Sequence, residues 1–476
     1  MRTLDASTGW IVLAFFSVAW VFLGWLWGKR ANSFDDRMLA GRNVGLALGM
    51  ATAMATWITS NTTMAAPQLA YQLGVWGMVG YSLGAVGLIL FAPMAERIKH
   101  LMPNGYTSGD FVRTRFGRPA WFVFLLISFF YGLGWLVSMG MAGGVLLNAL
   151  TGIEYHVGMI VITVVCVGYT LLGGLHAVIG TDYIQSVVIL IGLIVAAIAV
   201  YTQVGIGEIF TTLETERVGL LDMLAPASIM FLFNNLLFGL GEIFHSNVWW
   251  SRALALREGV GFKAYFLAGV AWLPVPVVAG SIALAAPALG LNIPALDMVG
   301  PMVIGNLLGT TGAVLILVIV FCSLASSLDS LLAATADLLV EDVYRGLIAP
   351  TASSAQLERA SRMIIVALGV LAIALCWGRV TTLAEMIQFT GAFVGATIWP
   401  IAAGLYWEKT NPNGAVAGMV LGIVAGLTAY FTVGFYTAAL AGAGVSMVCV
   451  VVSTLVAPRA FDWSEMQRLR APEATS

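Results

Sequence analysis

From Met50 to Gly74 the chain reads MATAMATWITSNTTMAAPQLAYQLG, an apolar stretch of membrane-spanning length whose middle holds Thr56, Thr59, Ser60, Asn61, Thr62 and Thr63 ahead of Pro67. Proline removes a backbone donor, and hydroxyl and amide side chains offer the backbone partners that compete with a helix. In hydrocarbon an unwound segment is costly unless it faces a cavity, an ion or a partner helix. The stretch therefore predicts an interrupted helix that lines a site. The alternative is an unbroken helix whose Ser and Thr bond back to their own carbonyls and pack against neighbours.

The rest of the chain sets that helix in a bilayer. The sequence is 60% hydrophobic and only 10% charged, with a mean hydropathy of +0.93, whereas soluble domains carry about 25% charged residues. A hydrocarbon core about 30 Å thick takes roughly 20 apolar residues per helix. Thirteen such stretches are expected, at about 9–28, 44–66, 73–95, 120–150, 156–174, 183–203, 227–250, 262–290, 299–340, 361–378, 383–407, 412–432 and 436–457. The first is followed by Lys29 and Arg30 rather than by a small-residue cleavage site, so it reads as a retained helix. A net charge of −2 gives no basic surface for nucleic acid. Cys166, Cys322, Cys376 and Cys449 lie scattered in apolar segments without CxxC spacing, which favours packing over disulfides or a metal site.

An odd number of crossings puts the termini on opposite faces, and the basic residues orient them. With the N-terminus outside and the C-terminus inside, Lys and Arg gather on the inner loops, Arg252 counted among them. Only Arg2, Arg217 and Arg379 fall outside. The outer loop at about 204–226 is acidic, with Glu208, Glu214, Glu216 and Asp222, and no chemistry is assigned to it. Residues 44–203 and 227–407 each hold five stretches and enter from opposite faces, which is the arithmetic of an inverted repeat. Residues 1–43 then form an extra helix and loop, and 408–476 two extra helices and a tail. Carriers built this way place their sites near the midplane, where the first helix of each repeat is broken. Two unrelated five-helix blocks would give the same hydropathy.

A second polar run, FCSLASSLDSLLAATADLLVEDVYR from Phe321 to Arg345, sets Ser323, Ser326, Ser327 and Ser330 on one helical face. Neutral hydroxyl and carbonyl oxygens suit a hard monovalent cation that must be released each cycle. Asp329 is a carboxylate within the membrane, a residue that belongs near a cation or the inner water boundary. Asp182, in GGLHAVIGTDYIQ, reads either as the cap of the helix that follows or as a cation ligand.

With these pieces in place, the chain resembles the sodium:solute symporter family from about 40 to 410. The resemblance rests on ATWITSNTTMAAPQLAY, GGLHAVIGTDYIQ, SSLDSLLAATADLLVEDVY and thirteen helices. It implies an all-α polytopic protein of the cell membrane with a LeuT-type 5+5 inverted repeat, and no enzymatic activity. Aligning Pro67 and EDVY with the family implies a sodium site from the Ala55, Ile58 and Ser323 carbonyls and the Ser326 and Ser327 hydroxyls. A second sodium would fall on Asp182, Ser326, Asp329 and Ser330, although members that carry sialic acid have Ser where Asp329 stands.

The resemblance further implies sodium-coupled import of a small polar solute, and it points to Thr59, Asn61, Gln72, Trp135, Asn235, Glu242 and Gln388 as solute contacts. In FNNLLFGLGEIFHSNVWWSR, from Phe233 to Arg252, Glu242 replaces an aromatic gate of sugar-carrying members. An acid there favours a cationic or zwitterionic amine such as an amino acid, or else it pairs with His245 one turn on. Trp57, Tyr131 and Trp135 could wall such a cation. The rival readings are a proton-coupled carrier using Glu242, His245 and Asp182, and a membrane sensor module. No HExxH, GxSxG or P-loop pattern suggests an enzyme.

Overall fold

A computed structural model describes residues 4–29 and 34–469. Within them, twelve helices are long and apolar enough to cross a membrane. A broken pair adds one more crossing. In chain order the elements are α1 (Ala6–Gly28), the broken pair α2 (Leu46–Trp57) and α3 (Ser60–Leu73), α4 (Val75–Leu101), α5 (Arg118–Thr151), α6 (Tyr155–Leu172) and α7 (Gly174–Gln203). A second broken pair follows, α8 (Pro226–His245) and α9 (Asn247–Ala255). Then come α10 (Gly261–Ala283), α11 (Val299–Leu338), α12 (Ser354–Cys376), α13 (Leu383–Tyr406), α14 (Pro412–Thr432) and α15 (Ala438–Val456). Five crossings run from α2 to α7 and five from α8 to α13, and each set opens on a broken helix.

Both breaks follow from local chemistry. Ile58 (ψ 78°) and Thr59 (ψ 171°) leave the helical region. Thr59 Oγ1 then accepts the Asn61 and Thr62 N–H groups at 3.0 and 3.3 Å, while Thr62 Oγ1 accepts the Thr59 N–H. This reciprocal cap satisfies donors that an α3 N-terminus would otherwise orphan. Thr62 also donates to the Trp57 carbonyl at 3.1 Å, closing the end of α2. At the second break Ser246 is extended (ψ 130°) and caps Val248. The Trp250 indole donates to the Phe244 carbonyl at 2.7 Å and Tyr265 to the Trp249 carbonyl at 2.6 Å.

Elsewhere close approach is made by small residues. Gly414, Gly418, Gly422 and Gly426 recur every fourth position along α14 and form its seam with α15 and α13. A Cβ on Gly422 would stand 2.8 Å from Ala396 Cβ and 2.9 Å from the Gly442 carbonyl. Without a hydrophobic drive between helices in lipid, such contact supplies the association energy. Overpacking costs about 1–3 kcal/mol, so Gly422→Val is expected to lower the melting temperature of the purified protein. An unchanged melt would contradict this packing. The outer faces of α1, α7 and α12 show Phe15, Val18, Ile191, Ile198 and Val370 to the surroundings, as a lipid-facing surface requires.

The structure corrects one boundary with functional weight. Asp182 does not cap a helix: α7 begins at Gly174, whose φ of 57° makes the break from α6. Asp182 therefore lies two turns inside α7, fully buried, and Thr181 bonds back to the Ala177 carbonyl at 2.9 Å.

Candidate functional site

The two breaks meet at one cavity. Thr56, Trp57, Thr59, Tyr131, Trp135, Met139, Glu242, Val248, Trp249, Ser327 and Leu331 line it, drawn from α2, the α2–α3 break, α5, α8, α9 and α11. Its volume of about 20 Å³ holds roughly one water. Four of these residues, Trp57, Tyr131, Trp135 and Trp249, are aromatic. Trp57 lies 6.2 Å from Trp135 and 5.5 Å, edge to face, from Trp249. Trp135 stacks on Phe238 at 6.3 Å.

Glu242 is the acid of this wall. Its Oε1 accepts the Tyr131 hydroxyl, and its Oε2 accepts the Trp249 indole N–H at 3.0 Å. His245 is not its partner: His245 Nε2 sits 3.0 Å from Ser128 Oγ instead. The indole N–H groups of Trp57 and Trp135 are buried without a hydrogen-bond partner. The lining thus joins a carboxylate held by two donors to two tryptophans whose indole N–H groups are unpaired, and it includes no Lys or Arg.

Beside the cavity, α11 meets the end of α2. Ser327 Oγ lies 3.1 Å from the Thr56 carbonyl and 3.0 Å from the Ser323 carbonyl. Ser323 Oγ is 3.0 Å from Thr63 Oγ1. The break turns the Thr62 N–H to Thr59, away from the Ile58 carbonyl. The Ala55 carbonyl accepts the Ile58 N–H at 3.0 Å. Ser327 and Ser323 are therefore brought against the unwound end that holds Ala55 and Ile58. Ser326 is turned elsewhere, donating to Asp182 Oδ1 at 2.5 Å.

Asp182 sits in a second cluster. Its Oδ2 accepts Thr52 Oγ1 at 2.6 Å and Thr56 Oγ1 at 3.3 Å, and it pairs with Arg252 Nη2 at 3.4 Å. The same Nη2 donates to Ser330 Oγ and Thr56 Oγ1, each at 2.8 Å. Arg252 is 3% exposed and Asp182 0%, so the count that placed Arg252 on an inner loop is corrected. Removing one member of such a pair leaves a buried charge alone, at about 3–5 kcal/mol. Asp329 makes no side-chain hydrogen bond to this cluster, both its oxygens being buried without a partner, but it lies close enough to interact electrostatically with Asp182 and Arg252; neighbouring Tyr169 donates to the Ala325 carbonyl.

Of the expected solute contacts, Thr59, Trp135 and Glu242 line the cavity. The others lie outside its lining. Asn235 donates to the Gly80 and Tyr81 carbonyls at 2.9 and 3.2 Å and accepts from Gln388 at 2.8 Å. Gln388 in turn accepts from Asn234 at 2.8 Å, so this amide chain ties α8 to α4 and α13. Asn61 Oδ1 accepts from Ser138 at 2.9 Å, with its Nδ2 buried and unpaired. Gln72 accepts from Gln68 at 3.2 Å and lines a separate cavity of about 560 Å³ with Arg217 and Tyr71. Trp249 and Arg252 escaped the sequence reading. The signal was the break at Ser246, after which VWWSR continues past the expected end of the stretch at 250 as a buried half-helix.

The family model described as Sodium:solute symporter family matches residues 38–422. The urea-proton symporter DUR3 of Oryza sativa subsp. japonica is 30% identical, across 98% of this chain and 73% of its own length. The osmoregulated proline transporter OpuE of Bacillus subtilis is 27% identical, over 86% of each chain. A solved Na+-coupled sialic acid symporter, in a substrate-bound outward-open state, superposes with a TM-score of 0.80 at 19% identity, covering 95% of this chain and 99% of its own. The helical order, the paired breaks and these matches agree: the chain is a multi-pass cell-membrane transporter with the LeuT-type fold, not an enzyme, and it belongs to the sodium:solute symporter family.

Proposed function

We propose that this chain imports urea, or an equally small neutral amide, by sodium-coupled symport with alternating access. The observation that carries the reading is the lining of the cavity, which brings the Glu242 carboxylate together with Trp57 and Trp135, whose indole N–H groups are buried and unpaired, and includes no Lys or Arg. A flat diamide donates its N–H groups to Glu242, offers its carbonyl to an indole and stacks between rings. An amino-acid zwitterion fits less well, because its carboxylate would meet Glu242 with no cationic side chain in the wall. The amine expected from Glu242 alone thus gives way to a neutral amide, in keeping with the named cargo of the rice relative. The cavity must widen to admit even urea, as an alternating-access cycle does.

Sodium is assigned to the Ala55, Ile58 and Ser323 carbonyls with Ser327, and Ser326 joins if it turns from Asp182. The repeats are assigned to 44–203 and 227–407, flanked by 1–43, 204–226 and 408–476. Sodium binding holds the broken end of α2 against α11 and completes the solute wall; inward closure loosens both. A tenfold sodium gradient supplies about 1.4 kcal/mol, and 100 mV adds about 2.3 kcal/mol per charge. The second reading is proton coupling, which the rice relative's name specifies. Uptake of labelled urea into proteoliposomes decides: it is expected to follow an imposed sodium gradient, to persist when the proton gradient is collapsed, and to resist excess proline. Uptake abolished by the protonophore would favour protons, and proline uptake without urea uptake would overturn the solute.

A further inference from the structure

We infer that Arg252 is a built-in cation occupying the position where a second sodium would bind, so that this carrier couples one ion to each solute. The inference rests on the cation-coupled reading above but not on which ion drives transport. Asp182, Thr52, Thr56, Ser326 and Ser330 together offer one carboxylate and four hydroxyls in a fully buried cluster. That is the donor set a monovalent cation takes. The guanidinium stands within it. Nη2 reaches Thr56, Ser330 and Asp182 at 2.8, 2.8 and 3.4 Å, Nε reaches Thr52 at 3.1 Å, and Nη1 donates to the Val248 carbonyl at 3.1 Å.

Charge completes the argument. Asp182 and Arg252 already neutralise each other, and a sodium added to the same oxygens would stand against an arginine that cannot lose its proton. Asp329, one residue before Ser330, adds a second buried carboxyl that interacts electrostatically with Asp182 and Arg252, and Arg252 is the cation that faces both. The pair also spans both halves of the fold: Thr52 and Thr56 lie on α2 and Asp182 on α7, whereas Arg252 lies on α9 and Ser330 on α11. Arg252 is thus a positioning residue that sets stoichiometry while joining the two repeats.

The test is the charge moved per urea, read from reversal potentials of the full chain in proteoliposomes. The wild type is expected to move one charge per urea, and Arg252→Lys to keep that ratio. Arg252→Gln is expected to move two, with a Hill coefficient for sodium rising from about one toward two. The double variant Arg252→Gln with Asp182→Asn should return to one. A second readout serves if Arg252→Gln transports poorly: the slope of its melting temperature against log sodium concentration is expected to be about twice that of the wild type. A wild-type ratio of two overturns the inference, as does an Arg252→Gln protein whose ratio or melting slope matches the wild type. If protons drive uptake, the coupling ion proposed above falls, while the charge ratio still decides the role of Arg252.

Discussion

Glu242→Gln is expected to raise the urea concentration for half-maximal uptake by roughly 10- to 150-fold, because a hydrogen bond to a charged group contributes about 1.5–3 kcal/mol. The carboxylate is held by donors on both sides, the Tyr131 hydroxyl and the Trp249 indole. An amide can accept from one of them but must turn an N–H toward the other. It therefore loses charge and position together. Tyr131→Phe removes one of the two donors and leaves the charge, so its effect should be smaller. Concentration dependence of labelled urea uptake measures both. If Glu242→Gln left half-saturation unchanged, the acid would be a packing element and urea would have to bind elsewhere.

The second large effect belongs to the α2–α11 contact. Ser327→Ala is expected to raise the sodium concentration for half-maximal uptake at least about 10-fold, equivalent to about 1.4 kcal/mol. Its hydroxyl is the one that stands between the Thr56 and Ser323 carbonyls. Ser326→Ala should be milder toward sodium, since that hydroxyl is engaged by Asp182. The order of the two variants distinguishes this geometry from a symmetric serine pair. Sodium titrations of initial uptake rates check it, and equal or reversed effects would contradict the placement of Ser327.

Much of this arrangement is legible from residue type and spacing. The hydroxyl cluster before Pro67 announces a broken helix, because polar side chains in mid-bilayer need backbone or ligand partners, and Thr59 and Thr62 do cap the resumed helix. The serine face of α11 is likewise readable at helical spacing, and its contact with the broken end follows. What hydropathy does not reveal is which polar groups satisfy one another. Asn235 and Gln388 look like solute ligands in sequence, yet they lie on different helices and, with Asn234, bond into one chain that joins α8 to α13. Asp182 looks like a cap because Gly180 and Thr181 precede it, whereas the left-handed residue that separates the helices is Gly174. Arg252 looks like an inner-loop charge until the break at Ser246 redirects α9 and carries it to Asp182.

In the proposed cycle an unwound segment of α2 serves an ion and a solute at once, which makes their binding linked. The most direct measurement is equilibrium binding of labelled urea to the purified full-length protein across a sodium series at constant ionic strength. Urea is expected to bind more tightly as sodium rises, by at least about fivefold, and Ser327→Ala is expected to flatten this dependence. Urea affinity that is the same with and without sodium, in a wild-type protein that binds urea, would contradict it.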